Sequence, residues 1–307
     1  MSLALVLPNR DTSELEAALA KALPDTRIQV WPEITQPESV IFAVAWKQPP
    51  DVWSSMPKLQ AVMSYGAGVD FLLTDPSLPE SVQVGRFVDP GLARQIAGYV
   101  LGAVLYELRD FKRYAHDQRR RRWNPASTPV SAQIGILGLG EVGRSVARHF
   151  VELGFSVIGW RARQQPVENV EVVTGTSGLL HVARNSDYLV AALPATEATR
   201  GVIDKEVFRA MRARAVLINV GRGETVVDTD LIEALENGRP RGALLDVFTR
   251  EPLPEEHPFW HHPNIRITPH VAGLTDPAAA ASAVVSAYTA VVTGGRMPNA
   301  VSRDRGY

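Results

Sequence analysis

The sequence predicts an α/β protein of two domains, each built around a parallel β-sheet. Short β-rich runs alternate with helical stretches twice over along the chain, which is the pattern that such sheets produce. A length of 307 residues exceeds what one hydrophobic core usually supports. With 45% hydrophobic and 21% charged residues, the composition is that of a globular protein and excludes extensive disorder.

The first set of β-rich runs lies near the start of the chain. Each run is short and mostly apolar, as expected for strands that are covered on both faces. The predicted strands are residues 3–7, 40–45, 60–63 and 82–84. Together with the helical stretches between them, these strands predict a small α/β unit.

A long helical stretch begins near Gly91. Leu101, Val104, Leu105 and Leu108 recur at the spacing that places them on one face of a helix, so we expect that face to be buried. We predict that this helix crosses into the second domain.

The second set of β-rich runs is longer and predicts a doubly wound parallel sheet. Its strands are separated by helices or by short connectors. The predicted strands are residues 133–137, 155–160, 171–173, 187–192, 214–220, 242–246 and 265–268. A last helix at residues 278–293 follows the final strand, and we expect it to return the chain to the first domain.

Charge and composition exclude several classes of partner. The net charge is −1 and the pI is near 6.7, so no overall field attracts nucleic acid or an acidic membrane. The basic run from Arg119 to Arg122 is interpreted as a solvated helix end. The lack of cysteine excludes disulfides and thiolate chemistry and suits a reducing cytoplasm. We predict a cytoplasmic protein without a signal peptide, membrane span or metal site.

A glycine-rich turn carries the strongest chemical signal. The apolar run 133–137 leads into Gly138, Gly140 and Gly143, and helix-forming sequence follows. In a dinucleotide-binding turn the first glycine permits the tight bend, the second lets the backbone approach a pyrophosphate, and the third allows close packing of helix on strand. The phosphates then lie at the helix N-terminus. The turn predicts a nicotinamide dinucleotide site, although any tight strand-to-helix turn can use glycines.

The end of the next strand bears on the choice of cofactor. Trp160 ends that strand and is followed by Arg161 and Arg163. An acidic residue here would bind the free 2′-hydroxyl of the adenosine ribose, whereas a guanidinium can bind a 2′-phosphate through two charge-assisted hydrogen bonds. We therefore predict NADP(H) over NAD(H). The alternative is that both arginines are solvated surface residues, and the sequence leaves open which of them would meet the phosphate.

Three segments near the carboxyl ends of late strands carry charged residues in apolar or glycine-rich surroundings. They are residues 219–223, 245–252 and 268–273. Ligands of open α/β sheets bind beyond the carboxyl ends of the strands, so the three segments could converge on one ligand.

The charged residues of these segments suit the reduction of a 2-oxo acid. That reaction needs a cation to hold the carboxylate, a proton donor for the ketone oxygen, and a group that keeps the donor charged and oriented. Arg222, His270 and Glu251 fit these roles in that order. Each also has a simpler interpretation, as a sheet-end cap, a core histidine and a surface charge respectively.

The motifs resemble, in their order and over nearly the whole chain, those of the D-2-hydroxyacid dehydrogenases. The matching segments are the glycine turn, residues 220–223, Asp246 with residues 251–254, and Pro269 with His270. Within that family the chain is most similar to the glyoxylate/hydroxypyruvate reductase A branch. The segments that suggest this branch are residues 45–46, 65–70, 88–92 and 257–263.

The resemblance implies an architecture. A Rossmann-type doubly wound parallel sheet, in residues 99–280, would be inserted into a flavodoxin-like substrate domain formed by residues 1–98 and 281–307. The resemblance further implies a homodimer built mainly on the cofactor domain.

The resemblance also implies the site residues. Arg222 would bind the substrate carboxylate, His270 would be the general acid in reduction, and Glu251 would pair with the imidazole. The implied cofactor contacts are Gly138, Leu139, Gly140, Glu141, Val142, Gly143, Trp160, Arg161, Arg163, Leu193, Pro194, Val220, Asp246 and Gly273. The implied substrate contacts besides Arg222 and His270 are Trp46, Tyr65, Gly66, Ala67 and Gly68.

Residues and resemblance together predict an enzyme that reduces glyoxylate or hydroxypyruvate to the D-2-hydroxy acid with hydride from NADPH. Tyr65 fits a pocket for a larger substrate, so a reductase of a bulkier 2-oxo acid stays open. Trp46 could equally be a core or interface residue. A further alternative is a non-catalytic dinucleotide-sensing protein, against which the complete set of Arg222, Glu251 and His270 argues.

Overall fold

The computed structural model describes residues 1–125 and 131–303, which fold into two compact units. The first unit comprises residues 1–92 together with the chain from residue 275 onward, and the second comprises residues 93–274. The assignment of residues 1–98 and 281–307 to substrate, and of residues 99–280 to cofactor, stays a prediction.

The strands of the described chain form two parallel sheets. The strands are β1 (Ser2–Val6), β2 (Arg27–Val30), β3 (Val40–Ala45), β4 (Ala61–Ser64), β5 (Gln83–Gly85), β6 (Gln133–Leu137), β7 (Ser156–Trp160), β8 (Glu171–Val173), β9 (Tyr188–Ala191), β10 (Val216–Asn219), β11 (Gly242–Leu245) and β12 (Ile265–Ile267).

The α-helices lie between these strands and after the last one. They are α1 (Ser13–Ala22), α2 (Asp70–Leu73), α3 (Pro90–Leu108), α4 (Phe111–Arg119), α5 (Glu141–Glu152), α6 (Gly175–Asn185), α7 (Lys205–Ala210), α8 (Asp228–Glu236) and α9 (Pro277–Val292). None of the helices within residues 1–125 and 131–303 has the length and apolar character needed to cross a lipid bilayer.

The first unit contains β1 to β5 in the order β2-β1-β3-β4-β5. Every neighbouring pair is parallel, and this order is the flavodoxin-like one that the resemblance implies. All residues of β1 and β3 are buried, because interior parallel strands are covered on both faces. This burial explains why both strands are continuous apolar runs in the sequence.

The sequence analysis missed β2, which lies at the edge of this sheet. Gln29 is the one buried residue of β2, and the strand therefore has no apolar run. The Gln29 amide nitrogen donates to Ser2 Oγ at 2.8 Å, and its carbonyl oxygen accepts from the Gln36 backbone N–H at 2.8 Å. A polar side chain is thus accommodated at this edge by hydrogen bonds.

The closing helix α9 packs against the strands and helices of the first unit. The ring of Tyr288 contacts Phe42 of β3 edge to face, with centroids 5.9 Å apart. The Thr26 hydroxyl donates to the Tyr288 hydroxyl at 3.3 Å. The helix begins after Asp276, whose carboxylate accepts from the Ala278 backbone N–H at 3.0 Å and so satisfies one free donor of the first turn. The predicted return of the chain to the first set of strands is confirmed.

The second unit contains β6 to β12 in the order β12-β11-β10-β9-β6-β7-β8. The chain builds outward from β6 to β8 on one side and then from β9 to β12 on the other, which is the doubly wound arrangement. All seven strands predicted from the sequence are present, and the predicted fold class is confirmed.

The long helix α3 and the basic run after it also agree with the sequence. Val104 and Leu108 are buried, and Leu101 and Leu105 are partly buried, so one face of the helix is covered. Helix α4 ends at Arg119, and the residues from Arg119 to Arg122 are exposed.

The glycine turn joins β6 to α5 as predicted. Gly138 has a φ of +95°, a conformation that residues with a side chain rarely adopt. A Cβ at Gly143 would collide with the carbonyl oxygen of Gly138, so only glycine lets the first turn of α5 lie against the bend. These two glycines fix the position of the helix N-terminus at the carboxyl end of β6.

We expect Gly143→Ala to lower the free energy of unfolding by about 1–3 kcal/mol, because the added methyl forces a backbone shift. Gly140→Ala is the matched control, since no heavy atom lies within 4 Å of the Cβ that it adds and the φ of −77° suits alanine. The control should change the unfolding free energy by less than about 0.5 kcal/mol. Urea denaturation measures both, and equal stability of the two variants would contradict this packing.

Candidate active site

The loops that follow β6, β9 and β10 touch through their backbones at the carboxyl edge of the seven-stranded sheet. A Cβ at Gly138 would lie 2.6 Å from the carbonyl oxygen of Ala192, and a Cβ at Gly221 would lie 2.6 Å from the backbone nitrogen of Leu193. Such approaches exclude any side chain at either glycine. The three loops therefore form one close-packed surface.

Arg222 lies between two glycines of the loop after β10. On its C-terminal side a Cβ at Gly223 would overlap the backbone of Phe248, so this loop also abuts the loop after β11. The carbonyl oxygen of Arg222 accepts from Asn219 Nδ2 at 3.0 Å and from Thr225 Oγ1 at 2.7 Å. Its guanidinium Nη1 donates to the Gly221 carbonyl at 2.8 Å. The backbone that carries this half-buried cation is thus fixed on both sides.

The side chains of His270 and Glu251 are hydrogen-bonded to each other. His270 Nδ1 lies 2.7 Å from Glu251 Oε2, and the other carboxylate oxygen, Oε1, accepts from the Phe248 backbone N–H at 2.9 Å. An ionised carboxylate only accepts, so Nδ1 must carry a proton in this contact. The Glu251 carboxylate is held at both oxygens and in turn orients the imidazole. The catalytic roles predicted for the two residues stay predictions.

The backbone of His270 is in the left-handed region, with a φ of +56°. Its N–H donates to the carbonyl oxygens of Asp246, at 2.9 Å, and Thr268, at 3.0 Å. A residue with a side chain keeps such a conformation only where its surroundings impose it. The two backbone hydrogen bonds of the His270 N–H supply part of that constraint.

The side chain of Asp246 supplies the rest of the constraint on the backbone of His270. It is 1% exposed, and Oδ1 accepts from Thr268 Oγ1 at 2.6 Å and from the Val271 N–H at 2.9 Å. Oδ2 accepts from the Ala272 N–H at 2.9 Å. A buried carboxylate is stable only when it is hydrogen-bonded, and these three donors all come from residues 268–274, the histidine loop. The predicted contact of Asp246 with the cofactor stays a prediction.

The residues of the predicted phosphate-binding turn differ in how exposed they are. The Leu139 side chain is 1% exposed, so only its main chain can face a ligand. Glu141 is exposed and pairs with Arg144 within the first turn of α5. Val142 is partly buried, and Gly143 is buried against the bend. The space above Gly140 is open.

The residues at the end of β7 differ in their hydrogen bonds and in their burial. The Trp160 indole N–H donates to the Gly175 carbonyl at 2.8 Å and so contributes to packing in this unit. Arg161 is partly buried, and its Nη1 is buried without a hydrogen-bond partner among the described residues. Arg163 is exposed. The structure thus separates two arginines that the sequence could not distinguish.

The remaining predicted cofactor residues lie at the carboxyl ends of β9, β10 and β12. Leu193 and Val220 are buried, Gly273 is partly buried and Pro194 is exposed. The carbonyl of Pro194 accepts from Thr199 Oγ1 at 2.5 Å, a contact that the sequence analysis did not identify. Within residues 1–125 and 131–303, no group of three or more His, Asp or Glu side chains is arranged to hold a metal ion.

In the first unit, the predicted substrate residues surround the turn after β4. The Trp46 ring lies against Gly66, where an added Cβ would be 2.5 Å from Trp46 Cζ3. The Gly66 N–H donates to Ser64 Oγ at 3.2 Å, and that hydroxyl donates to the Gly68 carbonyl at 2.6 Å. Ala67 at the tip is exposed. Ser64, which the sequence analysis missed, thus stabilises the turn through the two hydrogen bonds of its hydroxyl.

Arg10 joins this group, and no sequence pattern indicated it. Its guanidinium carbon lies 5.4 Å from the centroid of the Trp46 ring and 5.7 Å from that of Tyr65. Partial burial lowers the pKa of Arg10 and raises the pKa of the Tyr65 hydroxyl. The raised pKa disfavours the phenolate form of Tyr65. The guanidinium of Arg10 thus makes cation–π contacts with two aromatic rings.

Comparison with known proteins identifies the class. The model of one protein family, described as D-isomer specific 2-hydroxyacid dehydrogenase, NAD binding domain, matches residues 101–272. The chain belongs to this family. It is 33% identical over 302 residues to glyoxylate/hydroxypyruvate reductase A of Serratia proteamaculans (strain 568), covering 96% of each chain. It is also 33% identical over 315 residues to the protein of that name from Yersinia enterocolitica, covering 100% of both.

Solved structures show the same relationship. An NADPH-dependent glyoxylate/hydroxypyruvate reductase from Sinorhizobium meliloti, in complex with NADP and sulfate, is 35% identical with a TM-score of 0.92, and all of both chains is covered. A D-isomer specific 2-hydroxyacid dehydrogenase from Xanthobacter autotrophicus Py2, in complex with NADPH and MES, is 32% identical with a TM-score of 0.93. That match covers 100% of this chain and 99% of the other.

We expect Asp246→Asn to lower the free energy of unfolding by about 1–3 kcal/mol, because the new amide N–H₂ meets a backbone donor where Oδ2 or Oδ1 had accepted. Asp204→Asn is the matched control. Asp204 caps α7 through a single oxygen that accepts from Glu206 and Val207, and asparagine caps equally well. Urea denaturation measures the unfolding free energy of both variants. An Asp246→Asn variant as stable as the wild type would show that the three donors find other partners.

Proposed function

We propose that the protein reduces a small 2-oxo acid, glyoxylate or hydroxypyruvate, to the D-2-hydroxy acid with NADPH as the hydride donor. The observation that carries the proposal is the 2.7 Å contact of His270 Nδ1 with Glu251 Oε2, beside a loop that fixes Arg222. The names of the relatives from Serratia and Yersinia support this substrate class.

His270 is the proposed general acid. Glu251 accepts the proton on Nδ1, and we propose that Nε2 exchanges a proton with substrate. The nicotinamide, when bound, supplies the hydride to C2 of the substrate. Nε2 of the imidazolium then gives its proton to the former carbonyl oxygen, so that the product leaves as a hydroxyl and not as an alkoxide. The negative charge of Glu251 stabilises the imidazolium before that transfer.

Arg222 is the proposed carboxylate-binding residue. A guanidinium presents two parallel N–H groups to the two oxygens of a carboxylate, which fixes orientation as well as charge. In the turn after β4, Ser64 already accepts from the Gly66 N–H. We propose that the N–H groups of Ala67 and Gly68 also contact the substrate, with Trp46 as an apolar wall.

The group of Arg10, Trp46 and Tyr65 favours a second candidate substrate class. A cation held over two rings next to the glycine turn would suit a 2-oxo acid that carries a further polar or anionic group. A bulkier 2-oxo acid therefore stays the alternative substrate. A purely dinucleotide-sensing role is disfavoured, because sensing alone does not call for the ordered Glu251–His270 pair.

The residues of the second unit fit NADP(H). The open space above Gly140 and the N-terminus of α5 would receive the pyrophosphate. The Arg161 guanidinium has an unmet donor, and a 2′-phosphate provides acceptors. We propose that Arg161, and not the exposed Arg163, meets this phosphate. NAD(H) would leave the guanidinium without that acceptor and would bind more weakly.

We further propose that the protein acts in the cytoplasm as a homodimer. The lack of cysteine and the near-neutral net charge of −1 support a reducing aqueous compartment. The homodimer rests on the family resemblance.

We expect Arg161→Ala to raise the dissociation constant for NADPH by about 10- to 100-fold, the effect of losing a charge-assisted hydrogen bond of about 1.5–3 kcal/mol. The constant for NADH should change little. Arg163→Ala is the matched control and should leave both constants close to wild type. Fluorescence titration of each variant measures the four values. A larger effect of Arg163→Ala would assign the phosphate contact to that arginine.

The function is tested by NADPH and NADH oxidation with glyoxylate, hydroxypyruvate, pyruvate, phenylpyruvate and 2-oxoisocaproate. We expect the fastest turnover with NADPH and the two smallest polar acids. His270→Ala should lower kcat by about 10²- to 10⁴-fold, the contribution of a general acid. His261→Ala, at an exposed histidine of the same unit, is the control. Turnover confined to bulky acids would reassign the substrate, and tight NADPH binding without turnover would favour the sensing protein.

A further inference from the structure

A hydroxyl chain leads from helix α3 to the carboxylate that holds the histidine loop. The Tyr99 hydroxyl lies 2.5 Å from Thr268 Oγ1, and Thr268 Oγ1 lies 2.6 Å from Asp246 Oδ1. All three residues belong to the second unit. The sequence analysis identified neither Tyr99 nor its contact with Thr268, although Thr268 lies in the segment of residues 268–273.

The direction of the chain follows from donor capacity. The Asp246 carboxylate only accepts, so the single proton of the Thr268 hydroxyl points to Oδ1. The Tyr99 hydroxyl must then donate to Thr268. Burial, with a smaller contribution from the negative charge of Asp246, raises the pKa of Tyr99 to about 12. The phenol therefore keeps the proton that the chain requires at neutral pH.

Helix α3 holds the histidine loop at a second point. Gln95 precedes Tyr99 by one helical turn, so both side chains leave α3 on the same face. Gln95 Oε1 accepts from the Leu274 N–H at 3.1 Å, at the far end of the loop that begins with Thr268. The loop is thus attached to α3 at both ends and to Asp246 in the middle.

We propose that Tyr99 and Thr268 are positioning residues for His270. They fix the Asp246 carboxylate, which binds the N–H groups of Val271 and Ala272 and so holds the backbone on which His270 adopts its left-handed conformation. Neither side chain needs to touch substrate or cofactor for this role. The proposal rests on the proposed function of His270 as the general acid.

The expected effect on rate is larger than the loss of one hydroxyl suggests. A conformation that its surroundings must impose relaxes when one of the imposing contacts is removed. A displacement of about 1 Å of a catalytic group can cost about 10²-fold in rate. Binding of NADPH at the glycine turn and Arg161 does not depend on the position of His270 and should survive.

The test compares Thr268→Val, Thr268→Ser and Tyr99→Phe, with Tyr188→Phe as the control for removing a buried phenol hydroxyl elsewhere in the same unit. We expect Thr268→Val to lower kcat by about 10- to 100-fold, following the sensitivity of catalysis to small displacements. Thr268→Ser should retain kcat within about threefold, because the hydroxyl remains. Tyr99→Phe should give an intermediate loss, and Tyr188→Phe almost none.

Two further measurements separate positioning from general damage. The dissociation constant for NADPH and the KM for the 2-oxo acid should stay close to wild type in all four variants. Amide hydrogen exchange at Val271 and Ala272, measured without cofactor or substrate, should be faster in Thr268→Val and Tyr99→Phe than in Tyr188→Phe. Faster exchange combined with a loss confined to kcat supports the proposal.

The proposal is overturned if Thr268→Val and Tyr99→Phe keep wild-type kcat, or if Thr268→Ser loses as much as Thr268→Val. Should Thr268→Val not fold, Tyr99→Phe and Thr268→Ser still decide the outcome. A wild-type protein that binds NADPH but reduces no 2-oxo acid would contradict the proposed function instead. In that event unchanged amide exchange in Tyr99→Phe would still reject the positioning role, because exchange does not depend on turnover.

Discussion

The buried carboxylate of Asp246 is the interaction on which the arrangement of the loops around His270 depends. Its backbone N–H donates to the Asn219 carbonyl of the neighbouring loop, and its backbone carbonyl accepts from His270. Its side chain takes three further donors from the histidine loop. Moving a charge out of water is costly unless it is fully hydrogen-bonded, so the donors cannot leave one at a time without penalty. One residue therefore couples the ends of three adjacent strands.

A steric constraint adds to this electrostatic one. The loops after β6, β9, β10 and β11 approach so closely that glycine is required at Gly138, Gly221 and Gly223. Arg222 lies between two of these glycines, so close backbone packing fixes the loop that carries it. Close backbone packing thus fixes the carboxyl edge of the sheet, and groups fixed in position are the condition for electrostatic catalysis.

Most strands and the glycine turn could be predicted from the sequence. Parallel strands covered on both faces are continuous apolar runs, and the spacing of the glycines reflects steric requirements of the turn. The edge strand β2 could not be found, since its buried residue is Gln29. Tyr99 and Thr268 meet across a long stretch of sequence, and no local pattern marks such a contact. Thr268 stood inside a segment already singled out, but only the fold shows that its hydroxyl faces a carboxylate. Arg161 and Arg163 became distinguishable only through burial.

The left-handed backbone of His270 has a consequence for protein engineering. Glycine and asparagine adopt a φ near +56° more readily than histidine does, so a search for more stable sequences would favour either of them at this position. The resulting protein would be better folded and, on the role assigned to His270, would lack its proton donor. Sequence design guided by stability alone would thus favour replacing the proposed proton donor, so position 270 has to be held fixed.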